Sequence, residues 1–153
     1  MRRPTVLDEP VTFEQDTCPQ MQQFIEQLVA KHQVDVSVAG VCLWLALPDS
    51  TERLLISGLS GGRVGLTHCV ANAEDQLNFD TDLVFQVDEM GWQHIELLHT
   101  EAVWAVYVQV MVATSGVQVY DEAGEIRLPR FAEYWAKQLT QQHWLEESQP
   151  VCV

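Results

Sequence analysis

The chain has 153 residues, a formal net charge of −14 and a hydrophobic fraction of 47%. This length predicts one domain, and the hydrophobic residues suffice for a core, which excludes wholesale disorder. The apolar runs are far shorter than the ~20 residues that a helix needs to span a bilayer. Binding to nucleic acid or to an anionic membrane depends on Lys and Arg, so the charge argues against both kinds of partner.

The N-terminus and the cysteines predict a cytoplasmic protein. No apolar segment follows Arg2 and Arg3, so the sequence shows no secretory signal. The four cysteines are Cys18, Cys42, Cys69 and Cys152. None of them forms a CxxC pair, and we expect all four to be reduced thiols.

The acidic residues are concentrated in the middle of the chain. No Lys or Arg occurs between Arg63 and Arg127, and eleven acidic residues lie in that interval. They are either a solvated surface or a binding surface for a basic protein. For the second interpretation, the candidate surface is centred on residues 71–89. Its candidate partner-binding residues are Glu74, Asp75, Asp80, Asp82, Asp88 and Glu89.

Apolar spacing predicts an N-terminal helix. The residues of its apolar stripe are Met21, Phe24, Ile25, Leu28 and Val29. Asp16 or Thr17 is suited to cap this helix, and Pro19 is suited to its first turn. The helix is expected to end within residues 31–33, where Lys31 complements the negative end of the helix dipole.

From residue 41 onward, alternation with a period of two predicts an antiparallel meander. The predicted strands cover residues 41–47, 53–59, 63–70, 83–87, 92–98, 102–112, 117–120 and 125–128. We expect the acidic segment 71–81 to form a surface loop or a short helix. Residues 102–112 also fit a helix, but their β-branched valines favour a strand.

After Pro129, aromatic and apolar residues recur at helical spacing. They are Phe131, Trp135, Leu139 and Gln142, with Tyr134 and Trp144 beside them. The predicted fold is α+β, with an N-terminal helix, an antiparallel meander sheet of about six to eight strands and a C-terminal helix packed on the sheet. We divide the chain into a flexible arm at residues 1–14, one domain at 15–146 and a flexible tail at 147–153.

The run Gly58-Leu59-Ser60-Gly61-Gly62 matches the G-x-S-x-G pattern of a hydrolase nucleophile elbow. That motif requires a strand before the serine and a helix after it. A strand is predicted to follow here, and the chain is short for a hydrolase sheet. We therefore interpret the run as a glycine-rich hairpin turn.

Histidine and cysteine residues are the first candidates for chemistry. His68 and Cys69 are adjacent, and His94 and His99 lie together on another predicted strand. The two members of each pair point to opposite faces of a strand, so neither pair can share a zinc ion without a bulge. We expect His68 to face inward, to be partly buried and hydrogen-bonded, and to titrate near neutral pH.

Carboxylates are the second candidates. Asp80 and Asp82, with Glu74 and Asp75 nearby, have the oxygen ligands that a divalent cation prefers. The spacing of an EF-hand is absent, and no glycine stands at the turn that this motif requires. We therefore interpret the segment as a solvated acidic loop and predict neither a metal site nor a cofactor.

Several short motifs follow one another in a fixed order. They are Gly61-Gly62-Arg63-Val64, His68, Asn72, Asp80-Thr81-Asp82-Leu83-Val84-Phe85, Trp92 and the helical series Phe131, Trp135, Leu139, Gln142 and Leu145. This order resembles a small uncharacterised domain family carried on plasmids, integrative elements and phages, although a proline of that family's acidic loop is threonine here. The resemblance implies an accessory protein with no assigned reaction. It also implies that His68, Asn72, Asp80 and Asp82 are shared polar positions.

These observations lead to three hypotheses. The first is a non-enzymatic interaction module that binds a basic protein surface, one version being a nucleic-acid-mimicking accessory or inhibitor protein of a mobile element. The second is a secretion-chaperone-like acidic dimer that holds a client protein. The third is a small metal-dependent or ligand-binding protein that uses His68 and the Asp80/Asp82 loop, with Asn72 as a further polar position. The sequence favours the first and leaves a homodimer open.

Overall fold

The computed structural model describes residues 17–101, 104–113, 116–121 and 128–152, with side chains for 17–98 and 130–152. In chain order the elements are α1 Pro19–Lys31, β1 Cys42–Ala46, β2 Glu52–Leu59, β3 Arg63–Ala71, β4 Leu77–Asp88, β5 Gly91–Glu101, β6 Trp104–Ala113, β7 Gly116–Asp121, α2 Leu128–Gln141, α3 Trp144–Glu147 and β8 Gln149–Pro150. The predicted arm lies outside the described residues. No helix within the described ranges is long and apolar enough to cross a membrane.

The strands of the described ranges form one antiparallel sheet in the order β7-β6-β5-β4-β3-β2-β1-β8. From β1 to β7, each strand pairs with the next one in the chain, which confirms the predicted meander and the α+β class. Short turns make this order natural, because an antiparallel pair needs only a few connecting residues. The predicted strand at 102–112 is confirmed from Trp104 onward.

The core lies between one face of the sheet and the three helices. Alternate strand residues such as Leu54, Leu66 and Leu83 face the helices and are fully buried. The helices contribute Met21, Phe24, Ile25, Leu28, Ala132, Ala136, Leu139 and Trp144. Each fully buried leucine or phenylalanine contributes about 1.5–3 kcal/mol. The predicted stripe of α1 is therefore confirmed as its buried face.

The start of α1 differs from the expectation. Cys18 occupies the N-cap position, which we predicted for Asp16 or Thr17, and Asp16 lies outside the described residues. The backbone N–H of Cys18 donates to the carbonyl oxygen of Trp92 at 3.0 Å, and Thr17 forms an isolated bridge with Gln93. The chain thus enters the helix directly from the sheet, which places Thr17 beside β5.

The acidic segment 71–81 also differs from the expectation. Only residues 72–76 form a turn, and β4 begins at Leu77. Leu77 and Phe79 pair with Ala71 and Cys69 of β3, so hairpin pairing outweighs the low strand propensity of the intervening Asn and Asp residues. Asp80 and Asp82 are consequently strand residues.

The elements of the C-terminal region differ from the expected ones. Leu128 belongs to α2 and not to a last hairpin, while residues 122–127 lie outside the described ranges. Trp144 begins the separate helix α3, after His143 adopts a left-handed conformation with φ 68. Within the expected tail, Gln149–Pro150 pairs with β1, and the N–H of Val151 donates to the carbonyl oxygen of Trp44 at 3.0 Å.

Candidate functional site

Two turns lie side by side at one end of the sheet, because alternate connections of a meander return to the same end. They are the β1–β2 turn and the β3–β4 turn, which the backbone N–H of Ala71 links by donating to the carbonyl oxygen of Thr51 at 2.8 Å. Acidic side chains cluster around these two turns. We define the acidic end by Asp49, Glu52, Glu74, Asp75 and Asp80.

His68 joins two strands at the acidic end. Its Nδ1 lies 2.7 Å from Oδ1 of Asp80 on β4, and its Nε2 lies 3.1 Å from Oε1 of Glu52 on β2. The His68 side chain is 12% exposed, and each carboxylate side chain is 37% exposed. Ionised carboxylates only accept hydrogen bonds, so this arrangement favours the imidazolium, the form in which both ring nitrogens of His68 donate.

A β-bulge brings Asp80 to His68. Thr81 pairs with His68, but the next pair of the ladder is Phe79 with Cys69, so Asp80 is an extra residue of β4. In a regular strand Asp80 and Thr81 would point to opposite faces. Bulges re-aim side chains, and this one directs Asp80 to the face that carries His68.

The surroundings of His68 act on its pKa in two directions. Burial lowers the pKa, but the hydrogen bonds and charges of Asp80 and Glu52 outweigh burial and raise it above its usual value. The indole of Trp135 on α2 contacts the imidazole edge-on, with ring centroids 6.2 Å apart. Burial and the charge of Asp80 also raise the pKa of the Cys69 thiol.

Arg53 lies near these carboxylates but is engaged elsewhere. Its Nη1 donates to the carbonyl oxygens of Ser50 and Glu52, at 2.8 Å and 2.9 Å. Within the part of the chain that the structure describes, no Lys or Arg forms an ion pair with a carboxylate of the acidic end. When it is protonated, His68 therefore places a positive charge directly between two of these carboxylates.

The structure does not bring the six predicted partner-binding residues together. Glu74 and Asp75 are exposed at the acidic end, whereas Asp88 and Glu89 are exposed at the opposite end of β4. At ~3.4 Å per residue, roughly 40 Å of strand separates the two pairs. The candidate surface therefore divides into two separate parts.

Asp82 and Asn72 have structural partners. Asp82 lies on the face opposite His68, where its Oδ1 accepts a hydrogen bond from Oγ1 of Thr67 at 2.9 Å, and burial raises its pKa. Oδ1 of Asn72 accepts from the backbone N–H groups of Glu74 and Gln76, each at 2.9 Å. Such an Asx turn shapes the β3–β4 connection.

The structure also shows where the other candidate sites lie, namely the G-x-S-x-G run, His94 and the groups that could bind a metal ion. Gly61 and Gly62 have φ values of 74 and 70 in the turn that leads into β3, so Ser60 stands in a hairpin and not in a strand-to-helix elbow. His94 is buried against Phe85 and contacts the carbonyl oxygen of Glu96. In the described residues, no group of three His, Cys, Asp or Glu side chains could hold a metal ion.

Sequence reasoning missed Glu52 and the role of Trp135. The expected alternation did provide a signal for Glu52, because residues 52, 54 and 56 share one face of β2, and Leu54 pairs with His68. We expect Trp135 from the sequence only as a core residue.

Comparison of the chain with protein-family profiles, with curated protein sequences and with solved structures gives no match.

Proposed function

We propose that the protein is a non-enzymatic interaction module that binds a basic protein partner at the acidic end of its sheet. One observation carries this proposal. Two turns linked by a backbone hydrogen bond, together with the strands β2 and β4 beside them, carry five carboxylates, while Arg53 is held against the carbonyl oxygens of Ser50 and Glu52. Lys and Arg side chains of a partner would supply the missing positive charge.

The overall charge supports the same partner chemistry. A net charge of −14 attracts basic proteins and repels both acidic proteins and nucleic acids. Such attraction acts chiefly on the association rate and on specificity, and salt screens it beyond about 8 Å at physiological ionic strength. The proposal assigns the protein to the cytoplasm and gives it no direct nucleic-acid or membrane partner.

The hydrogen bonding of His68 supports binding over catalysis. Each of its ring nitrogens lies within hydrogen-bond distance of a carboxylate of this chain, so both are already engaged and neither is directed at a substrate site. One version of the proposal is mimicry of nucleic acid by an accessory protein of a mobile element. That version predicts that the protein competes with DNA for its partner.

The test uses a fluorescent deca-arginine peptide and two matched double variants. Glu74→Gln/Asp75→Asn removes two charges from the acidic end, and Asp88→Asn/Glu89→Gln removes two from the opposite end. We expect the first variant to weaken binding roughly two- to thirtyfold at low salt, since each exposed charge contributes about 0.2–1 kcal/mol. Equal weakening by both variants, or no binding at low salt, would refute the proposed site.

A second candidate function is supported by two exposed apolar side chains. Phe79 is 58% exposed and Leu98 is 42% exposed, and strand pairing puts both on the face of Thr67 and Asp82, away from the helices. We propose this face as the client-binding surface of the chaperone-like dimer. Light scattering tests this candidate, because a monomer at every protein concentration would remove it.

A further inference from the structure

His68 needs its extra proton to hold both carboxylates. A neutral imidazole has one N–H donor and one lone pair. After deprotonation, one ring nitrogen would therefore direct its lone pair at the oxygen of Asp80 or of Glu52. One of the two hydrogen bonds is then lost, and the carboxylate that it held becomes free to turn toward water or toward a partner.

Because of the position of the ring, loss of one of these hydrogen bonds affects the strands beside both turns. Glu52 is the first residue of β2, next to the β1–β2 turn, and Asp80 is the fourth residue of β4, at the bulge that follows the β3–β4 turn. The imidazolium thus connects the two turns across β3. Trp135 covers one edge of the ring, so the change of charge occurs in a partly water-excluded setting, where electrostatic interactions are stronger.

Few other charges reach the ring. The titratable and charged side chains of the elements around it are Glu52 and Arg53 on β2, Arg63 and Cys69 on β3, Asp80, Asp82 and Asp88 on β4, and Arg130, Glu133, Tyr134 and Lys137 on α2. Of these, Glu52 and Asp80 contact His68, and α2 meets the ring through Trp135. On β5, the backbone of His99 pairs with Thr81. The two carboxylates thus dominate the charge that His68 experiences.

We infer that His68 is a proton-operated clasp that sets how much negative charge the acidic end presents to a basic partner. The inference rests on the function proposed above, because it concerns the regulation of the same surface. With the proton, His68 neutralises one charge and holds Glu52 and Asp80 in place. Without the proton, the acidic end carries one more net negative charge, and one carboxylate is released.

The direction of the effect follows from linkage. A basic partner repels the imidazolium, so binding favours the deprotonated ring, and loss of the proton strengthens binding to the same extent. We expect the affinity for a basic partner to rise about 1.4- to fivefold as the pH increases through the titration of His68, which is the contribution of one exposed charge. Arginine suits the probe, because its guanidinium stays charged over this range.

The experiment measures deca-arginine affinity from about pH 5.5 to about pH 9. The wild type should bind more tightly as the pH rises, whereas His68→Gln should lose most of this increase. His143→Gln is the matched control, because His143 is exposed and contacts neither Glu52 nor Asp80. It follows α2 in the chain, and its Nδ1 lies 3.6 Å from Oε2 of Glu146. This control should keep the wild-type profile.

A second measurement needs no variant. The pKa of the His68 ring, followed by NMR in the full chain, should lie above its usual value in the free protein and should fall when deca-arginine saturates it. An unchanged pKa, or the wild-type pH profile in His68→Gln, would overturn the clasp and leave the proposed function standing. If deca-arginine does not bind at any pH, the proposed function and the clasp both fail.

Discussion

His32 and His68 are both partly buried, yet their partners give them opposite proton affinities. Burial and the positive charge of Lys31 lower the pKa of His32, whose Nε2 lies 3.1 Å from Oγ of Ser148. Burial acts in the same direction on His68, but Asp80 and Glu52 outweigh it and raise the pKa. Beside a neutral hydroxyl group, burial determines the direction of the pKa shift, whereas two carboxylates reverse that direction.

The two histidines also lie in two different sets of contacts, one within the sheet and one between α1 and the C-terminal region. His68 connects neighbouring strands of the sheet. His32 lies where the end of α1 contacts the C-terminal region. There Lys31 Nζ donates to the carbonyl oxygens of Leu145 and Glu146 at 2.8 Å and 3.1 Å. A cation at these carbonyl groups complements the negative end of α3 and helps to hold β8 against β1.

The largest expected effect concerns the anchor of the C-terminal region. Trp144 is fully buried, and its Nε1 donates to Oε1 of Gln142 at 3.1 Å. Trp144→Ala should lower the free energy of unfolding by about 3–5 kcal/mol, because it leaves a cavity in the core. Urea denaturation measures this loss. Tyr134→Ala, at an exposed position of α2, should change stability by less than about 1 kcal/mol. Comparable losses in the two variants would contradict the assigned anchor.

The next effect concerns the pH dependence of the clasp. His68→Ala should lower the free energy of unfolding by about 1–2 kcal/mol below pH ~6.5, toward the low end for charged hydrogen bonds because Glu52 and Asp80 are partly exposed. Since the folded pKa is raised, the contribution of His68 is fully present below the unfolded pKa and is lost as the pH rises through the folded pKa. Denaturation of both proteins at several pH values checks this, with Asp88→Asn as the control. A difference that grows with pH would be the wrong sign.

A smaller effect is expected from Lys31. Lys31→Met should lower the free energy of unfolding by about 0.5–1 kcal/mol, since an exposed ammonium at a helix end contributes this much. Removal of its charge should also raise the pKa of His32. NMR titration of the His32 ring measures that shift, and the His68 ring of the same sample is an internal control. An unchanged His32 pKa would show that burial alone lowers it.

The smallest effect is the opposite slope of His32. Its folded pKa is lowered, so the unfolded state takes up the proton first and stability falls as the pH drops below about 6.5. His32→Asn should therefore lose less stability on acidification than the wild type, by roughly a few tenths of a kcal/mol, because His32 is only partly buried and solvent screens its charge. Parallel denaturation at about pH 7.5 and about pH 5.5 measures the difference. If the variant loses more stability than the wild type, the comparison of the two histidines is wrong.

Much of the fold could be predicted from local patterns. The stripe of α1 and the alternation of β2 and β3 each follow from the burial of one apolar face. His68 shares a face with Leu66, so its inward position was predictable as well. The turn at 72–76 was predicted as part of a longer loop, because Asn and Asp are rare in strands unless a neighbouring strand pairs with them.

The sequence by itself determined the α+β class, the order of the meander, the inward face of His68 and the acidic character of the protein, because each depends on composition or on spacing within one element. Only the tertiary structure decided the bulge at Asp80, the contact of His68 with Glu52 and the pairing of β8 with β1. These contacts join residues far apart in the chain. Their geometry depends on strand register, which a single extra residue changes without altering the local pattern.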